Sequence, residues 1–363
     1  MVKFSDIFND PGRRKDDATK ARSSGGMDFS SLFDRDAGAV SAGTNRMADP
    51  VPEKVAQDDH GDNVSDEGLV SVPVPVRLLY DKACELVARV FDDHYIIRGE
   101  DFDAARIVTD EALAYVRHGT GQLIACVFDR ERERLDDFFV RNAVNVLILS
   151  LETAVALDYP DKRIRRLGVA ALMHEVGMRE YRELMCKTRV FTPAEREEVR
   201  GHVDAGVALI DKVDDVDAIE TATVLRQTHE RIDGNGYPYG LREHMIHEHA
   251  LIIGMTDVYE AVTHVRPYRA ASCALAGMKM LIEGERRFAV KPLKAFLERI
   301  GLYPCGTRVE LNTRETAVVV GQNPKMPSCP VVMVVYNGRG ERTEPQRRVD
   351  LSKGTRIYIV KSL

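Results

Sequence analysis

The stretch that decides the fold is Thr228-His229-Glu230-Arg231-Ile232-Asp233-Gly234-Asn235-Gly236-Tyr237-Pro238. A helix is predicted to end at Asp233-Gly234, where glycine relieves the left-handed closing residue. Two glycines and a proline then build a tight loop beside His229. As turn chemistry alone this is ordinary. The adjoining His-Glu pair makes it specific.

Upstream and downstream of this loop, further polar residues interrupt apolar runs. Ala170-Ala171-Leu172-Met173-His174-Glu175-Val176-Gly177 carries an adjacent His and Glu inside a predicted apolar helix. His202 shares a predicted helical face with Val199, Gly206 and Leu209, and His229 shares one with Ala222 and Leu225. Asp257 breaks the run Leu251-Ile252-Ile253-Gly254-Met255-Thr256. Each of these groups costs several kcal/mol, on the order of 2–7, if it is buried without a partner. Two arrangements satisfy them together: a hydrogen-bonded polar network, or convergence on a metal ion. His244, His247 and His249 fit neither one helical face nor a usual zinc spacing, so they are read as structural or surface residues.

The rest of the chain sets the frame. Its 363 residues carry 51 Lys+Arg against 57 Asp+Glu, a net charge of −6, which argues against binding a nucleic-acid polymer. No stretch approaches the roughly 18 apolar residues of a membrane span, and the Met1–Asp6 start lacks the apolar run of a signal peptide. The six cysteines lie far apart with no Cys-x-x-Cys pair, which excludes a disulfide framework and a cysteine-rich zinc site. A cytoplasmic location is expected.

Residues 1–70 are rich in Asp, Gly, Ser, Lys and Arg and read as a disordered tail. Within it, Phe4-Ser5-Asp6-Ile7-Phe8 and Phe29-Ser30-Ser31-Leu32-Phe33 share the pattern Phe-Ser-x-aliphatic-Phe. The repeat is either chance or a pair of short motifs that fold into a partner's groove. Val72-Pro73-Val74-Pro75-Val76 is expected to be extended and to mark a boundary. Helical periodicity follows from Leu78 to about residue 300, with Thr192-Pro193-Ala194-Glu195 as a helix start. After Gly301 the period changes to strands at Arg308–Leu311, Thr316–Val320, Val331–Tyr336 and Arg356–Val360, with a turn at Asn337-Gly338-Arg339-Gly340. The expected divisions are thus a tail (1–70), an N-terminal helical region (71–135), a helical domain (136–300) and a small β-rich element (301–363).

From about Tyr80 onward the chain resembles the HD-GYP proteins, the branch of the HD metal-dependent phosphohydrolases associated with cyclic di-GMP hydrolysis. The family's His-Asp-x-Gly-Lys stands here as His174-Glu175-Val176-Gly177-Met178. Its His-His-Glu-x-x-Asp-Gly-x-Gly-Tyr-Pro stands as Thr228 through Pro238. The resemblance implies a mainly α HD-type helical bundle with the small β element behind it. It also implies a divalent transition metal such as iron or manganese, held by His174, Glu175, His202, His229 and Asp257. Glu175 and Asp257 would be the catalytic carboxylates, and Arg266 and Arg269 would face the phosphates of cyclic di-GMP. The loop Asp233, Gly234, Gly236, Tyr237 and Pro238 would dock a partner signalling protein.

Four positions depart from the pattern: Asn142 stands for the opening His, Glu175 for the bridging Asp, Met178 for a lysine and Thr228 for the first His of a pair. Phe138 stands where trinuclear members carry a Glu. An amide oxygen or a hydroxyl is a weak ligand for metals that imidazole suits. The expectation is therefore one or two ions with incomplete ligation, or none. The protein would be a degenerate member that acts by binding a nucleotide or a partner. The alternative is an active phosphodiesterase that uses the remaining ligands.

Overall fold

The structure, a computed structural model, describes residues 72–119, 121–129, 138–354 and 356–363. The tail and its two Phe-Ser-x-aliphatic-Phe motifs lie outside the described residues. The chain is mainly α-helical with a small antiparallel sheet at its end.

The helices run in the order α1 (Val74–Val90), α2 (Gly99–Arg117), α3 (Gln122–Val127), α4 (Phe138–Ala156), α5 (Asp161–Met173), α6 (Arg182–Met185), α7 (Pro193–Arg200), α8 (His202–Ile210), α9 (Ala218–Leu225), α10 (Glu248–Thr263), α11 (Ala274–Glu283) and α12 (Val290–Ile300). Short 3-10 helices at Val176–Tyr181 and Glu243–Met245 lie between them. The Val-Pro-Val-Pro segment differs from expectation. Pro73 is extended, but α1 already begins at Val74 with a proline in its first turn. That turn has no intrahelical use for a proline's missing N–H, so the ring is tolerated there.

Helix α4 is the axis of the bundle. Its sequence is apolar on every side, and it packs against α1, α5, α10 and α12. By length and composition α4 could cross a membrane, contrary to the sequence reading, yet 83% of that window is buried inside the protein. A helix that is hydrophobic all round is expected at the centre of a large core. The polar residues α4 does carry are paired across helices. Tyr80 donates to Asn145 (2.8 Å), and Ser150 and Thr256 are joined at 2.9 Å.

Helix α7 starts as its sequence predicts. Thr192 Oγ1 accepts the Glu195 N–H (3.2 Å), and the Glu195 carboxylate accepts the Thr192 N–H (2.8 Å). The C-terminal sheet has the order β4-β3-β2-β1-β5, with β1 (Arg308–Leu311), β2 (Thr316–Gly321), β3 (Val331–Tyr336), β4 (Arg342–Asp350) and β5 (Ile359–Ser362), all pairs antiparallel. Asn337 closes the β3–β4 hairpin by accepting the Arg339 N–H on its side chain (2.9 Å). Strand β4 escapes the sequence reading because it is a charged edge strand that contains Pro345. Such a strand pairs on one side only and shows little apolar alternation. The last strand lies three residues later than expected, because residues 356–358 precede the pairing with β1.

Candidate metal centre

The site gathers where α5, α7, α8, α10 and the loop after α9 meet. His174 caps the C-terminus of α5, and Glu175 follows it outside the helix, so the pair ends an apolar helix instead of lying within one. His202 opens α8, and Gly201 separates it from α7. Helix α9 stops at Leu225, well before Asp233. After it the chain continues as tighter turns in which N–H groups reach back three residues, as in Gln227 N–H to Val224 C=O (2.9 Å) and Glu230 N–H to Gln227 C=O (3.0 Å). That tightening swings His229 toward the site.

Five of the predicted ligands converge. Glu175 stands 3.3 Å from His202 Nε2 and 3.4 Å from His229 Nε2. His202 and His229 meet Nε2 to Nε2 at 2.9 Å. His174 Nε2 lies 3.7 Å from Asp257. Two overlapping triads result, Glu175–His202–His229 and His174–Glu175–Asp257, and each is tight enough to hold a cation. The tautomers suit that purpose. His174 Nδ1 donates to the Ala171 carbonyl (2.8 Å) and His202 Nδ1 donates to the Val199 carbonyl (2.7 Å). Both Nε2 lone pairs therefore face inward, the usual arrangement behind a metal-ligating histidine.

The buried atoms His174 Nε2 and Glu175 Oε2 have no hydrogen-bond partner in the protein. An unpaired buried acceptor is costly, and a cation would relieve both atoms at once. The donor set of imidazoles and carboxylates thus fits a divalent transition metal.

The electrostatics keep the two carboxylates charged and draw a proton toward His174 in competition with a cation. Burial pushes the Glu175 carboxyl up, but His202 and His229 reverse the shift and hold it below its ordinary value. Burial likewise opposes the charged Asp257, and the nearby His174 imidazole together with the Asn142 hydrogen bond outweighs it, leaving Asp257 ionised. His174 is lowered by burial and raised by Asp257 and Glu175, and the carboxylates win. Burial leaves His202 below its ordinary value.

The substituted positions behave differently. Asn142 Nδ2 donates to Asp257 (3.1 Å) and to Glu260 (2.7 Å). Both partners are carboxylates and can only accept, so the N–H side of the amide faces them. Thr228 Oγ1 donates to the Val224 carbonyl (2.9 Å). Met178 joins Phe138, Met185 and Val199 in an apolar cluster.

A cavity of about 310 Å³ opens beside the site, lined by Asn142, Glu175, His229 and Asp257, by Met178 and Phe138 of the apolar cluster, and by several arginines. Arg266 reaches its wall but is committed to the buried Glu260 carboxylate at 2.5 Å. Arg269 is not part of the lining. Its guanidinium donates to the Ala261 and Val262 carbonyls and to Ser272, and so caps the end of α10.

In the loop, Tyr237 is half-buried and stacks on His229, with ring centroids 4.7 Å apart and planes 6° apart. Glu230 accepts the Tyr239 and Leu241 N–H groups (2.6 and 2.8 Å) and fixes Asp233, Gly234, Gly236 and Pro238 around the turn. A side chain at Gly236 would strike the Glu230 backbone.

Sequence reasoning passed over Glu260. It lies one helical turn beyond Asp257, and that spacing on one face was its only signal. The histidine-rich segment lies elsewhere. His247 and His249 gather with Glu220, but His247 Nδ1 accepts the His249 N–H (3.2 Å). That bond places the proton of neutral His247 on Nε2, the nitrogen that would have faced an ion.

The helical unit around this site is an HD domain: residues 131–289 match the HD domain family model, and residues 308–363 match a KOW domain associated with HD domains. The chain belongs to the HD-GYP family of that superfamily. It is 30% identical over 277 residues to the cyclic di-GMP phosphodiesterase PA4108 of Pseudomonas aeruginosa, covering 76% of this chain and 66% of that protein. It is 25% identical over 231 residues to the cyclic di-GMP phosphodiesterase PdeB of Borreliella burgdorferi, covering 62% of this chain and 60% of that one. The chain thus spans just under two thirds of these relatives. Among solved structures it is similar to Bd1817, a HDG"Y"P protein from Bdellovibrio bacteriovorus, with a TM-score of 0.49 and 17% identity over 65% of this chain and 73% of that one.

Proposed function

We propose that this protein binds cyclic di-GMP in the cavity beside a metal centre reduced to about one ion, and that it hydrolyses the nucleotide slowly or not at all. The observation that carries this reading is the use made of Asn142 and Thr228. Asn142 turns its amide N–H groups, not its oxygen, toward Asp257 and Glu260, and the Thr228 hydroxyl is tied to the Val224 carbonyl, so neither supplies the imidazole nitrogen that the family has there. A two-ion centre needs both metals about 3.5–4 Å apart to clamp nucleophile and phosphate. Here one side of each ion's shell is missing.

When bound, one ion would polarise a phosphate oxygen and position a water. His174, Glu175, His202, His229 and Asp257 would hold it. Glu175 and Asp257, both held ionised, would be the groups able to accept a proton there. With Met178 in place of a lysine, the charge that would neutralise a phosphate at that wall is lost. The exposed Tyr239 and the pinned turn beside it offer a partner signalling protein a rigid surface, so the loop can report occupancy of the site.

The unpartnered His174 Nε2 and Glu175 Oε2 favour a second reading, an active phosphodiesterase that works with the remaining ligands. Elemental analysis and nucleotide turnover on one purified sample separate the two. The expected result is one ion or fewer per chain without linear product formation. The expected gain of both ions and turnover follows from restoring Asn142→His, Glu175→Asp, Met178→Lys and Thr228→His together. Two ions and linear turnover in the parent would overturn the proposal.

A further inference from the structure

Arg231 is the second residue after His229, and its guanidinium is buried, with 8% of the residue exposed. Nη1 donates to the Thr228 and Glu230 carbonyls (3.0 and 2.7 Å), and the group lies 5.7 Å above the Phe288 ring. Among the described residues no carboxylate lies within ion-pair distance of it. A second cation, Arg287, acts on it, and the Arg287 backbone carbonyl accepts the Ile232 N–H (3.2 Å), while Asp257 and Asp233 act on it only from beyond ion-pair distance. Both guanidiniums line the cavity that contains Glu175, His229 and Asp257.

A buried guanidinium with no carboxylate in ion-pair contact is costly for a fold to carry. Here a second cation of like sign aggravates the cost. The fold spends its available carboxylates elsewhere. Glu260 takes Arg266, while Arg269 is occupied by backbone carbonyls. The two arginines that the family resemblance points to are therefore occupied, and the lysine position is apolar. Arg231 and Arg287 bring positive charge to the lining without a carboxylate in ion-pair contact with Arg231.

We infer that Arg231 and Arg287 form the phosphate-binding subsite of this cavity and hold one phosphodiester of the nucleotide between two guanidinium forks. The inference rests on the nucleotide-binding reading for its ligand, but the chemistry it requires is only that of a phosphoanion. A guanidinium presents paired N–H donors that match phosphate oxygens, and this fixes geometry as well as charge. Phe288, packed against the Arg231 guanidinium, keeps water from that face and strengthens the contact.

The test is isothermal titration of the full chain with cyclic di-GMP and, separately, with inorganic pyrophosphate. Arg287→Gln should weaken both ligands about tenfold or more, the scale of a lost charge-assisted pair. Arg231→Lys should do the same by keeping the charge and losing the fork. Arg226→Gln, a surface guanidinium paired with Asp211 and remote from the cavity, should leave both affinities within about twofold.

Pyrophosphate binding that Arg287→Gln abolishes would uphold the subsite even if cyclic di-GMP did not bind. In that case only the nucleotide reading falls. Affinities unchanged in both Arg287→Gln and Arg231→Lys, or no pyrophosphate binding by the parent, would overturn the subsite, and a cyclic di-GMP affinity retained in those variants would leave the nucleotide reading standing.

Discussion

Asn142 sits between two carboxylates, and what it does there was decided by Glu260. This carboxylate is buried to 1% exposure and receives Asn142, Asn145 and Arg266 together. Burial opposes its charge, but Arg266 and His264 outweigh it and hold it down to about 2. An unfolded glutamate titrates near ~4.3, so Glu260 contributes stability above that pH, and the contribution is lost as pH falls toward about 2. Denaturant titrations across pH 5 to 2 should show that acid limb, and the limb should shrink in Glu260→Gln. The same variant leaves Arg266 buried and alone, which should cost about 3–5 kcal/mol at neutral pH. Replacing both partners, as Glu260→Gln with Arg266→Met, should recover most of that loss. If the single variant unfolds at the parent's denaturant midpoint, the pair holds nothing.

At the scale of elements, two glycines set how closely the site's helices approach. A Cβ at Gly177 would run into the His202 carbonyl and the Gly206 backbone, so the 3-10 helix after His174 and α8 touch only because no side chain stands between them. At Gly254 a Cβ would meet the Thr228 carbonyl, which fixes α10, and with it Asp257, against the turns that carry His229. Gly177→Ala should therefore move His202 away from Glu175 and lower metal affinity, with an overpacking cost of about 1–3 kcal/mol. The cap of α7 gives the contrast. Thr192→Ala should cost about 1 kcal/mol and leave metal affinity intact, since the cap touches no ligand. Manganese titrations beside melting curves resolve the two cases. A Gly177→Ala variant that binds manganese like the parent would show that the close approach is not needed.

For the whole molecule, the unpaired His174 Nε2 and Glu175 Oε2 couple folding to metal. A ligand that binds only the folded state stabilises it by about 2.7 kcal/mol at a hundredfold excess over its dissociation constant. Manganese should thus raise the melting temperature with a stoichiometry near one, and chelation should reverse the gain. A melting temperature indifferent to manganese, iron and chelator alike would show the orphaned atoms to be a plain internal cost.

The helical class, the start of α7, four of the five strands and the five polar residues that converge were legible in the sequence, because each leaves a local mark: apolar period, a cap pair, β-branched runs, polar residues beside apolar ones. So were the substitutions at 142, 175, 178 and 228, which are matters of residue type. What those substitutions do was not legible. That Asn142 donates to Glu260, that Arg269 closes a helix end, and that Arg231 lies buried beside Arg287 without a carboxylate depend on contacts between residues far apart in the chain. A residue's type fixes which bonds it can make. Only the packing of α4, α10 and the Thr228–Pro238 loop fixes which partner is within reach, and at about 3 Å the partner determines whether a polar group serves a ligand or the fold.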